Sequence, residues 1–171
     1  MRKALYILGE LDDRDVIFLA ASGAVRSLCP GETLIEAGRE VRDLFFVTEG
    51  EFEVTTRSGQ HLAMLGLGDV TGEMSFVEKR PPEANVRAAG AGRVLAVPRD
   101  AMLAEFARDP AKAARFYRAL AIFLSDRLRS ASGDGSGELD EGILDTFTQA
   151  GERLIRLVRM LEGKQAKRPA T

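Results

Sequence analysis

Leu67-Gly68-Asp69-Val70-Thr71-Gly72-Glu73-Met74-Ser75-Phe76 is the stretch on which the reading of the fold turns. Gly68 and Gly72 tolerate positive φ, and a carboxylate follows directly on the second. Outward from this stretch the chain carries brief apolar runs: Val25 to Cys29, Leu34-Ile35, Leu44 to Val47, Phe52 to Thr55, Leu62 to Leu65, Asn85 to Ala88 and Val94 to Val97. Between them lie turn-forming breaks at Pro30-Gly31, Gly38, Glu49-Gly50, Ser58-Gly59, Gly66 to Asp69 and Gly90 to Gly92. Many short strands at such spacing imply a sandwich, barrel or jelly roll.

The flanks read as helices. Leu11 to Asp15 offers a capping carboxylate and an acidic first turn ahead of Val16, Ile17, Leu19 and Ala20. After Pro98 the period becomes helical, in Arg99 to Arg108 and again from Pro110, a residue suited to a helix start, to about Arg129. Ser130 to Gly137 (SASGDGSG) is too small and polar to build a core. In the final helix Leu144, Phe147, Gly151, Leu154, Val158 and Leu161 recur at alternating three- and four-residue spacing, so one face calls for a partner. The expected organisation is a domain over 1–130 with its lid helix, a linker over 131–139, an amphipathic helix over 140–163 and a basic tail over 164–171.

Composition narrows the function classes. The 171 residues carry a formal charge of -2, so no global attraction to nucleic acid or anionic membrane is expected. A single Cys29 and an opening without a signal-peptide pattern point to a reducing cytoplasm. No run of about 18 apolar residues suggests membrane insertion. His61 is the one histidine, which argues against a metal site and reads as a surface residue. Cys29, ending an apolar run, reads as a packed thiol. No nucleophile motif or triphosphate loop is present, so no catalytic residue is assigned.

Three segments in order, Pro30 to Gly38, Leu44 to Gly50 and Leu67 to Phe76, resemble the cyclic-nucleotide-binding-domain family, with its β-roll of catabolite-activator type. The resemblance runs from about Leu5 to Arg129. It implies an eight-stranded β-roll in which Gly72-Glu73 and a short helix form a phosphate-binding cassette, with a cyclic nucleotide as ligand. Glycine lets the backbone approach that ligand, helix-terminal amides favour an anion, and the Glu73 carboxylate can accept from a ribose hydroxyl. Met74 and Ser75 would add backbone amides or a hydroxyl. The plainer alternative makes Gly72 a turn glycine and Glu73 an exposed carboxylate.

The family pattern then breaks. Ligand-binding members continue with Arg-Ser/Thr-Ala, whereas alignment on Ala84 to Ala88 puts Pro82 and Glu83 at the arginine and serine positions. Losing a charge-assisted hydrogen bond costs about 1.5 to 3 kcal/mol, and a carboxylate about 4 Å from the phosphate adds up to about 4 kcal/mol of repulsion. A combined loss of about 4 kcal/mol takes a micromolar site to roughly millimolar. Arg80 could swing in to restore the charge, although two prolines after it stiffen the loop. The candidate ligand set is Gly72, Glu73, Met74, Ser75, Arg80, Glu83 and Ala84. Arg87 should point outward as a solvated charge.

The helix from Ala111 carries Phe116, Leu120, Phe123 and Leu124, read as a homodimer interface or as a face covered by the last helix. Arg153, Arg156, Arg159, Lys164, Lys167 and Arg168 make the chain end basic, ordinarily a solvated face. One linker and one helix are too little for a helix-turn-helix, so no DNA binding is expected. The first reading is a non-catalytic regulatory module that senses a cyclic nucleotide or similar small anion and signals through its C-terminal helices to a protein partner. The alternative is a degenerate, constitutive dimeric scaffold. A cupin-type enzyme would need clustered histidine and carboxylate ligands.

Overall fold

The computed structural model describes residues 8–131 and 141–165. The linker expected over 131–139 falls almost wholly outside the described residues, as do residues 166–171 of the basic tail. Two compact units make up the chain: one runs from Ser22 to Ala104, and the other joins the N-terminal helix to everything from Glu105 onward. The division thus falls inside the stretch expected as one domain over 1–130.

In the first unit eight strands form two four-stranded antiparallel sheets, the β-roll expected from the sequence. The strands are β1 (Ala24–Leu28), β2 (Thr33–Ile35), β3 (Asp43–Glu49), β4 (Phe52–Thr56), β5 (His61–Leu65), β6 (Val70–Thr71), β7 (Ala84–Ala88) and β8 (Gly92–Pro98). One sheet has the order β1-β8-β3-β6 and the other β2-β7-β4-β5. Alternation decides what faces inward: in β4, Phe52 and Val54 are buried while Glu53 between them is not. Leu34, Ile35, Phe45, Val47, Phe52, Val54, Leu65, Val86 and Val94 close into one apolar core, with the smaller Ala63 and Ala84 packed at its margin.

Two readings need adjustment. β6 has only two residues, too few to show a period, and exists because Val70 and Thr71 pair with Phe46 and Phe45 of β3. Cys29 is exposed rather than packed. The strand stops at Leu28, and the Cys29 amide donates to Glu32 Oε2 at 3.0 Å, so the thiol belongs to the turn. That amide, with Arg26, holds the Glu32 carboxyl below its ordinary range. His61 is exposed, as expected, and stands 3.1 Å from Glu53 Oε1.

The second unit opens with α1 (Asp13–Ser22). Asp12 and Asp15 cap it reciprocally, the Asp12 amide donating to Asp15 Oδ2 and the Asp15 amide to Asp12 Oδ1, each at 2.9 Å. Burial alone would raise the Asp12 carboxyl, but the Asp15 amide and Arg115 outweigh it and hold the group below its ordinary range. Asp15 is 2% exposed and accepts from Arg115 Nε at 3.1 Å, while Lys112 Nζ lies 3.8 Å from it and 2.6 Å from Glu105. Lys112 also stands over the Phe18 ring, 4.9 Å from its centroid.

Two helices follow the roll directly, α3 (Arg99–Arg108) and α4 (Pro110–Ala131), and α5 (Glu141–Gln165) ends the chain. Phe106, Phe116 and Tyr117 form an aromatic cluster with centroids 5.2 to 5.9 Å apart. In α5, Ala150, Leu154, Leu157 and Leu161 are buried. Arg153 donates to the carbonyls of Leu8 and Gly9 at 3.0 and 2.8 Å, and Arg156 pairs with Asp13. The last helix therefore engages its own chain, and these two arginines of the basic end are occupied within it.

Candidate functional site

The expected cassette is built on β6. After Thr71 the chain turns at Gly72, with φ 89° and ψ -1°, into the short helix α2 (Glu73–Glu78). The Phe76 amide closes the first helical turn onto the Gly72 carbonyl at 3.0 Å. Helix geometry leaves the amides of Met74 and Ser75 without intrahelical acceptors. Glycine is required at 72 twice over. Its φ is left-handed, and a Cβ there would meet the Asp43 carbonyl oxygen at 2.8 Å, with Val41 and Phe45 next nearest.

Glu73 and Ser75 are buried, at 3% and 4% exposure, whereas Met74 and Val77 are half exposed. Glu73 is therefore no free surface carboxylate, and the plainer reading of the Gly-Glu pair fails at that residue. Lys79 ends the helix in the left-handed region at φ 57°, its amide donating to the Ser75 carbonyl at 3.1 Å. The loop beyond it carries the departure from the family pattern.

Arg80 is 82% exposed and its nearest carboxylate is Glu78, at 4.0 Å. Pro82 gives its carbonyl to the Gly38 amide at 2.8 Å, Glu83 is exposed, and Ala84 opens β7 opposite Thr56. The seven candidate residues thus divide. Glu73 and Ser75 are buried beside the half-buried Gly72, Met74 is half open next to them, Ala84 lies at the core margin, and Arg80 and Glu83 face solvent. The alternation argument holds for Arg87, which is exposed between the buried Val86 and Ala88.

Behind the Gly72 turn lies an open cleft of about 390 Å³ whose wall includes Val41, Asp43 and Phe45. Its size falls in the range of small-molecule sites. Three arginines rim it, each matched to a carboxylate: Arg26 to Glu32 at 3.2 Å, Arg39 to Glu36 at 3.0 Å and Arg42 to Glu40 at 3.0 Å. Burial raises the Asp43 carboxyl above its ordinary value, with Arg26 opposing the shift. Arg26, Arg39, Arg42 and Asp43 lie outside the three family segments, and the sequence offered only their charge.

Arg99 is another residue sequence reasoning passed over. Its guanidinium stands 5.7 Å from the centroid of Phe76 in α2, and its amide donates to the Arg42 carbonyl at 2.9 Å. The first residue of α3 thus touches both the cassette helix and the segment entering β3. The dimer candidates are covered within the chain: Phe116, Leu120 and Phe123 are 1% to 2% exposed, and Leu124 is partly buried. Among the described residues no cluster suits a metal ion, and no helix is long and apolar enough to cross a membrane.

Comparison with known proteins agrees with this geometry. Residues 25–109 match the family model described as the cyclic nucleotide-binding domain. Glutaminase 2 of Bradyrhizobium diazoefficiens is 35% identical over 127 residues, which cover 74% of this chain and 20% of the glutaminase. The chain therefore spans about a fifth of that relative's length. The N-terminal domain of a transcriptional regulator from Streptomyces coelicolor A3(2) has a TM-score of 0.61 at 27% identity, over 81% of this chain and 99% of that one. A cyclic nucleotide-binding domain from Methylobacillus flagellatus has a TM-score of 0.67 at 22% identity, covering 81% of this chain and 85% of that one, a likeness of fold. With two four-stranded sheets, a left-handed glycine opening the short helix and these matches in hand, the chain belongs to the family of cyclic nucleotide-binding domains.

Proposed function

We propose that this chain is a non-catalytic regulatory module whose Gly72 turn receives a cyclic nucleotide or a similar small anion and passes its presence to the C-terminal helices. The observation that carries the reading is the turn itself, a left-handed Gly72 followed by a buried Glu73 and a buried Ser75. A carboxylate withdrawn from water suits recognition of a ligand hydroxyl. The contact of Arg99 with Phe76 supports a route from the cassette to α3. A ligand shifts that element only as far as it binds one arrangement better than the other. A cytoplasmic setting, a homodimer and a protein partner reached through α5 belong to the same proposal.

A second reading, a degenerate scaffold without ligand, is favoured by Arg80 lying out beside Glu78 and by the exposed Glu83. Calorimetric titration of the full chain with cyclic AMP, cyclic GMP and cyclic dinucleotides separates the two. Saturable binding, in the high micromolar to roughly millimolar range, is expected for the sensor. Absence of saturation with every ligand establishes the scaffold instead. Sedimentation of the same samples should give the mass of two chains, and a monomer removes the homodimer from the proposal.

A further inference from the structure

The outer face of the β2-β7-β4-β5 sheet holds a second cleft, of about 480 Å³, lined by Thr33, Glu36, Ala37, Arg57, Asn85 and Arg87. It lies on the opposite side of that sheet from the apolar core, because Arg87 stands between the inward-facing Val86 and Ala88. Its charge is not balanced. Arg26, Arg39, Arg42 and Arg93 each sit within 3.2 Å of a carboxylate, whereas Arg57 and Arg87 make no ion pair among the described residues. The one acid of the lining, Glu36, is already taken by Arg39 at 3.0 Å. Glu53, which pairs with Arg87 in strand register, has its carboxylate 3.1 Å from His61.

The wall is also held in place. Asn85 accepts from the Ala37 amide at 2.9 Å and donates to the Thr56 carbonyl at 3.2 Å, tying the segment after β2 to the end of β4. Gly38, with φ 85°, leaves the space into which the Arg57 guanidinium settles: a Cβ at 38 would lie 2.5 Å from Arg57 Nη2. The fold has thus seated one guanidinium against bare backbone beside a second cation and the Thr33 hydroxyl, while the neighbouring acids Glu36 and Glu53 engage Arg39 and His61. Planar guanidinium forks of this kind suit phosphoryl oxygens.

We infer that the cleft framed by Arg57, Arg87 and Thr33 on the outer sheet face binds the phosphoryl group of a small phosphorylated anion. It lies outside the roll and is independent of the reading of the Gly72 turn. The sources of such a group, free phosphate or a phosphate monoester, share one recognition chemistry.

The test is titration of the full chain with inorganic phosphate and, separately, with adenosine 5′-monophosphate at constant ionic strength, for the natural sequence, Arg57→Gln, Arg87→Gln and the double variant. Saturable binding of at least one probe is expected, weakened about ten-fold or more by each single substitution and abolished in the double variant. Tighter binding of the nucleotide identifies a monoester as the source, and equal binding identifies free phosphate. Both substitutions sit on an exposed face, so thermal melting should be unchanged. A cyclic AMP titration should also be unchanged in the double variant, which keeps failure here distinct from failure at the turn. Equal affinity in the natural and double-variant proteins, or no saturation with either probe, overturns the site.

Discussion

A Cβ placed on Gly72 would stand 2.8 Å from the main-chain carbonyl oxygen of Asp43, so the cassette turn and strand β3 meet through bare backbone. Gly72→Ala must then both adopt a left-handed φ and push β3 away. We expect a stability loss of about 1 to 3 kcal/mol, read as a lower urea midpoint at unchanged slope. An unchanged midpoint would mean that the two segments have room to part.

The double substitution Pro82→Arg with Glu83→Ser restores a cation and a hydroxyl where the family pattern has them. Together the recovered hydrogen bond and removed repulsion amount to about 4 kcal/mol, hence roughly a thousand-fold tighter binding of cyclic AMP or cyclic GMP by calorimetry. Equal affinity for both proteins would show that the loop does not face the ligand.

Asp43 provides a pH test. Burial raises its folded-state carboxyl above the ordinary aspartate value, so the folded chain holds this proton more tightly than the unfolded one. Its contribution to stability is therefore greatest below the ordinary value and is lost as pH rises through the raised one. Asp43→Asn should raise the melting temperature near pH 7, with the advantage fading near pH 3. A gain that is the same at both pH values would remove the carboxyl as its cause.

Asp15 is buried and accepts from Arg115 across 100 residues of sequence, with Lys112 3.8 Å away. Asp15→Ala leaves these cations short of a partner and strips the Asp12 amide of its acceptor. A loss of about 3 to 5 kcal/mol is expected in chemical denaturation. A loss below about 1 kcal/mol would place the pair among those that solvent screens.

Turn chemistry made most of the roll legible. Gly31, Gly38, Gly50, Gly59, Gly68 and Gly72 all have positive φ, and each lies in a break or cassette read from the sequence. The helix Arg99–Arg108 and the start at Pro110 were visible because capping and period act over a few residues. What escaped depends on register and long-range contact. Two-residue β6 exists only through pairing with β3, and Cys29 faces solvent because its strand stops one residue early. At the site, the Gly72 turn could be read, whereas the outward course of Arg80 and the meeting of Arg99 with Phe76 depend on how the chain is folded around them.

Pro82 contributes a carbonyl to the Gly38 amide, a bond that every amino acid at this position can make. The roll reads residue 82 as main chain and leaves its side chain unspecified. The side chain at 82 can therefore be exchanged while this main-chain tie stays in place, so that, under the proposed function, the ligand-facing chemistry of the loop would be separable from the architecture that carries it.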